Sequence, residues 1–207
     1  MSAARVQPVV NLKEYFKDAL HAALVNQRLS VEGETEHYVV NVLTLFARSE
    51  ALFEPTPAGR RLKPLVVLLS EALEARTRDE RNRGLQRLGD VSLFIAGFLA
   101  RGFARKVVDI DYHIAMGGCA YGTLARTLSS RGARALAQVY AELAEKFQPM
   151  VDALNELSEA GYAHSQEDVL RLYELWVKTG SRRSYALLKR LGVEPLGTGS
   201  GALRALH

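Results

Sequence analysis

Cysteine is nearly absent from this chain: Cys119 is the only one among 207 residues. No intramolecular disulfide can form, so a reducing, cytoplasmic setting is the expectation. Long apolar runs are missing too. The longest, VSLFIAGFLA from Val91 to Ala100, is about half of the roughly 20 residues that cross a bilayer. A membrane span is therefore not expected, and the N-terminus MSAARVQPVV lacks the apolar stretch of a secretory signal. Alternating apolar and polar residues, the mark of a half-buried strand, are scarce. Without strands there is no strand-to-helix phosphate loop, and no Gly-x-Ser-x-Gly elbow occurs. Ser129 and Ser130 close a predicted helix with no base near them in sequence. No nucleophile emerges.

What the chain has in quantity is helical periodicity. Its 48% apolar and 24% charged residues are ordinary for a globular protein. The pattern predicts an all-α multi-helix bundle of about seven to eight helices. Residues 1–10 and 193–207 read as flexible tails around one helical domain, 11–192. The predicted helices cover about 11–27, 34–50, a stretch opening near Pro64, 78–100, 107–130, 133–160, a segment ending at Thr179, and 181–191. Thr77 followed by Glu80 is a capping-box signature. Ser165 with Asp168 reads as a further N-cap. Pro149 is expected to bend the long helix 133–160.

Charge is uneven. The net charge is +4, yet residues 1–170 carry 20 Lys and Arg against 21 Asp and Glu. Residues 171–207 carry 7 against 2. Residues 171–192 form a predicted basic helical hairpin bearing Lys178, Arg182, Arg183, Lys189 and Arg190. As a helix-turn-helix it would set Arg182 and Arg183 in a major groove and Lys189 and Arg190 on phosphate. As a terminal hairpin it would pack Trp176, Leu187 and Leu188 inward and leave its charges in water, the favoured reading.

The stretch Leu88–Thr123 is the least ordinary. It sets Asp90, Asp109 and His113 in apolar helices and strings Gly117, Gly118 and Gly122 inside one of them. An interior Gly costs about 1 kcal/mol against Ala, so each has a packing or ligand reason. Asp109 and His113 are four residues apart and share a helix face. Asp90 needs a partner if buried, with Arg101 and Arg105 as candidates. These residues form a candidate polar centre: Asp90, Arg105, Asp109 and His113. On the same predicted helix, Ile110, Ile114, Gly117, Tyr121, Leu124 and Leu128 make a core stripe. Asp111, Ala115, Gly118, Gly122 and Ala125 make a stripe of small residues suited to close helix packing or a homodimer seam.

Metal readings are thin. Glu34 and His37 form one E-x-x-H pair, and a di-iron bundle needs two. Asp109, Asp111 and His113 do not share a face. One or two of them could join residues of another helix on a metal, which the sequence leaves unknown, and no cofactor is expected as the main reading. One alternative comes from resemblance. With His21 in its first helix and MGGCAYG near its middle, the chain resembles the haem oxygenases, which use a first-helix His as haem ligand and a Gly-rich distal helix. That resemblance implies haem binding and oxidoreductase chemistry. The chain departs from the family's GDLSGG-like run, since here GD and GG fall in different helices. The leading expectation is a non-enzymatic protein that binds a protein partner or itself. A small-ligand or haem protein and a DNA-binding protein are the alternatives.

Overall fold

A computed structural model of the chain describes residues 12–47, 49–56, 59–99, 110–129, 133–159, 176 and 179–190. The two predicted tails, Arg101, Arg105, Asp109 and Lys178, and the predicted Ser165 cap lie outside these residues. The architecture is an all-α bundle. Its elements are α1 (Leu12–Asn26), α2 (Gly33–Phe46), α3 (Ser49–Leu52), α4 (Leu65–Glu74), α5 (Arg78–Phe94), α6 (Ile110–Ser129), α7 (Arg134–Glu145), α8 (Phe147–Glu159) and α9 (Arg182–Arg190). Between α3 and α4, where the sequence predicts only a loop, Glu54–Thr56 and Gly59–Arg61 pair as a small antiparallel hairpin. Lys63 ties this hairpin to α4, reaching Glu54 at 2.9 Å and Glu71 at 2.8 Å.

Local chemistry explains several boundaries. α1 ends as Arg28 enters the left-handed region at φ 52°, so that Leu29 N–H reaches the Leu24 carbonyl at 2.9 Å, the Schellman arrangement. The Thr77 capping box forms in both directions and opens α5. α5 does not run on as an α-helix to Ala100. It widens into a π-helical turn over Ile95–Leu99. There Asn155 of α8 donates to the Ala96 carbonyl at 3.3 Å, and Gly97 lies so near Leu154 that a Cβ would come within 2.6 Å of it.

The predicted helix 133–160 is two helices, and it breaks upstream of the proline. Lys146 leaves the helical region at φ −100°, ψ 22°, and Pro149 becomes the third residue of α8. In an unbroken helix Pro149 would clash with the Glu145 carbonyl and leave it without a donor. Restarting the helix at Phe147 places the proline in a first turn, where its N–H is not needed.

One cluster of buried apolar side chains draws on α1 through α8. Phe16, Phe46, Phe94 and Phe98 form an aromatic chain through it, with ring centroids 5.3–5.9 Å apart. α9 packs separately on α8.

Candidate functional site

Asp90 lies on the buried face of α5, between Gly89 and Val91, and is 7% exposed. Three other helices supply what surrounds it. Tyr38 of α2 and Tyr121 of α6 each donate a hydroxyl to its Oδ1 at 2.7 Å. Gln86, one turn earlier on α5, donates to the Tyr38 oxygen at 3.2 Å. Tyr140 of α7 stacks on Tyr121 with centroids 5.5 Å apart and meets Tyr38 edge-on at 5.5 Å. The result is one carboxylate held by two tyrosines, with a third packed on the rings of both.

Burial pushes the Asp90 carboxyl up to about 6, although Tyr38, Tyr121 and the nearby Arg87 all pull it down. Burial and the Asp90 charge push the Tyr121 and Tyr38 hydroxyls well up, and Tyr140 is pushed up to about 12, chiefly by burial. The tyrosines therefore remain donors at any ordinary pH. Arg87 lies 5.0 Å over the Phe46 ring and donates to the Leu52 carbonyl at 3.4 Å.

Among the described residues, the groups that Asp90 engages are thus tyrosines and Arg87. His113 is not among them. It is buried on α6, two turns before Tyr121, beside the ring of Tyr112. α5 and α6 approach closely at two glycines. A Cβ on Gly89 would fall 2.6 Å from the Tyr121 ring, and one on Gly117 would run into the Phe147 ring and fall 2.8 Å from Ser92.

The tight approach therefore belongs to Gly117, on the predicted core stripe of α6. The small-residue stripe is looser. Cβ atoms on Gly118 and Gly122 would meet Ala144 of α7 and other neighbours at 3.6–3.9 Å, ordinary contact. Of the remaining stripe residues, Asp111 is half-buried, Ala115 exposed and Ala125 buried.

A second buried carboxylate went unnoticed in the sequence. Asp152 of α8, 5% exposed, accepts from Ser181 Oγ at 2.7 Å and Gln148 Nε2 at 3.0 Å. The backbone N–H of Arg183 also donates to it, and the Arg183 charge is close. Burial again pushes the carboxyl up to about 6. Ser181 caps α9 by accepting from Ser184 N–H at 3.0 Å. Asp152 thus anchors the positive end of α9. Its signal was readable: MVDAL places an acid among apolar residues on both sides, as LGDVSLF does for Asp90.

The basic patch divides accordingly. Arg182 and Lys189 are exposed, and Lys189 lies 5.8 Å over the Tyr185 ring. Arg183 is 8% exposed. Arg190 belongs to α9.

Nor do the haem positions form a sandwich. The His21 side chain is 67% exposed, with Nδ1 3.2 Å from Glu36 Oε1. It lines a groove of about 530 Å³ between α1 and α2 with Lys17, His37 and Val40, while Gly117 closes on Phe147. These residues do not fit a haem held between α1 and α6. Among the described residues, no three His, Cys, Asp or Glu are placed to hold a metal ion. No helix among them is long and apolar enough to cross a membrane. Comparison with family models, with curated proteins and with solved structures finds no match to this chain.

Proposed function

We propose that this chain acts by non-enzymatic binding, to a protein partner or to itself, and that α4 presents the binding face. One observation carries the reading. α4 buries Leu65, Leu68 and Ala72, yet its outer side leaves Val66 60%, Leu73 55% and Val67 39% exposed. Single exposed apolar residues are ordinary, but several grouped on one short helix mark an interaction surface. The hydrogen bonds on Asp90 support the same reading, since a buried carboxylate bonded within the bundle by Tyr38 and Tyr121 serves packing and specificity.

The test is site-specific photo-crosslinking. A photoreactive residue at Val66 or Leu73 is expected to form covalent adducts with a protein, and one at Tyr112, an exposed aromatic on α6, is not. Adducts from Tyr112 but none from α4 would reject the assignment. DNA binding through α9 has less support, because Arg183 is turned onto Asp152.

A further inference from the structure

We infer that α9 is a proton-gated latch: a proton shared between Asp152 and Gln148 holds it against α8, and loss of that proton loosens it. Three observations meet at this joint. First, α9 is held from one side. Its main packing among the described elements is on α8, and its buried Leu188 stands apart from the apolar cluster that joins α1 to α8. Second, the joint is polar. Asp152, Ser181, Arg183 and Ser184 are all buried, and Asp152 Oδ1 accepts from both Ser181 Oγ and Gln148 Nε2.

Third, the cluster is one donor short. Gln148 Oε1 is buried and has no hydrogen-bond partner among the described residues. Gln148 and Asp152 stand four residues apart on α8, side by side on the helix. An ionised carboxylate only accepts, so it cannot serve that oxygen. A protonated carboxyl can. One of its oxygens donates to Oε1 while the other still accepts from Nε2, the two-bond pairing of an acid with an amide. The proton comes from water when Asp152 takes it up and returns to water when Asp152 releases it.

Among the described residues, the charge that faces Asp152 is Arg183, from α9. Gln148 on its own helix is neutral, and no described charge of α1, α6, α7 or the π-helical turn is among its influences. Arg183 and the start of α9 favour the ionised form, but burial outweighs them and lifts the docked carboxyl from an ordinary 3.8 to about 6. Undocking returns Asp152 to water and to its ordinary range. Docking is therefore strongest below about pH 4 and weakens until pH passes about 6. Loosening also parts Arg183 from Asp152, beside the exposed Arg182 and Lys189, so the basic patch that docking divides becomes whole at higher pH.

Amide hydrogen exchange of the full chain at residues 185–190 reads the docking equilibrium. Protection factors divide out the intrinsic pH dependence of exchange. Protection should fall about tenfold between about pH 5 and about pH 7.5. Asp152→Asn supplies an amide that donates to Gln148 Oε1 at every pH, and should keep α9 protected at both values. Asp152→Ala offers neither donor nor acceptor and should leave α9 loose at both. Asp90→Asn, which removes the other raised carboxyl, should leave the fall intact. Circular dichroism checks that the bundle persists. Protection in the unsubstituted chain that ignores pH, a fall that survives Asp152→Asn, or an α9 as loose in Asp152→Asn as in Asp152→Ala overturns the inference.

Discussion

Asp90 shows how little room a buried acid leaves for substitution. Its Oδ1 takes two tyrosine hydroxyls at 2.7 Å, and hydrogen bonds to a charged group contribute about 1.5–3 kcal/mol each. Tyr121→Phe removes one donor from a fully buried position. It should cost about 1–3 kcal/mol and raise the Asp90 carboxyl further, which carbon-13 NMR titration of the side chain would report. An unchanged titration would mean that Tyr121 does not hold the carboxylate. Gly117 is equally constrained, by space and not by charge. Gly117→Ala drives a Cβ into the Phe147 ring, so overpacking of about 1–3 kcal/mol should outweigh the gain in helix propensity of about 1 kcal/mol. A rise in the urea midpoint would contradict that assignment. Arg28 offers the opposite case. It is exposed and holds φ 52°, a conformation that costs a side-chain-bearing residue about 1–2 kcal/mol. Arg28→Gly should raise the melting temperature.

At the scale of elements, polar contacts decide where helices start and what holds them. Pro149 was legible as an interruption, but its effect lands at Lys146, because the clash of a proline falls on the carbonyl four residues earlier. The capping box at Thr77 could be read from four residues, since both of its bonds are local. The anchoring of α9 could not. It joins Asp152 to Ser181, 29 residues apart, and no periodicity links them. Asp152→Ala should therefore loosen α9 selectively. Hydrogen exchange at residues 182–190 is expected to rise, while exchange in α5 and α6 stays slow. Uniform loosening throughout would show that Asp152 supports the whole core and not this one contact.

For the whole molecule, the two buried aspartates set a pH dependence. Both carboxyls are raised by burial from an ordinary 3.8 to about 6. The folded chain then holds protons that the unfolded chain has released, so stability falls as pH rises from about 4 to about 6 and levels off above. The contribution lost is on the order of 3 kcal/mol for each. Glu142 works in the opposite sense. Burial pushes it up, but Lys146, Thr35 and the Glu32 backbone outweigh that and hold it below its ordinary 4.5, so its contribution is present above that pH and fades as pH falls below it. Urea unfolding should show greater stability near pH 5 than near pH 7.5. Asp90→Asn and Asp152→Asn should each remove about half of the slope. A slope that survives both substitutions would place the responsible groups elsewhere.

The sequence by itself determined the helical class, the Thr77 cap, the core stripe of α6 and the oddity of Asp90. Each depends on neighbours within one or two helical turns, where 3.6-residue periodicity carries the information. It also marked Arg182 and Arg183 as one basic patch, because adjacent residues look alike on paper. Only the tertiary structure separated them, leaving Arg182 in water and setting Arg183 against Asp152. It likewise chose tyrosines as the partners of Asp90 and assigned the tight packing to Gly117. It also left Val66 and Leu73 on the outer face of α4 exposed. Which side of such a helix meets the core, and which remains for a partner, is decided by the other helices, whose positions no local pattern encodes.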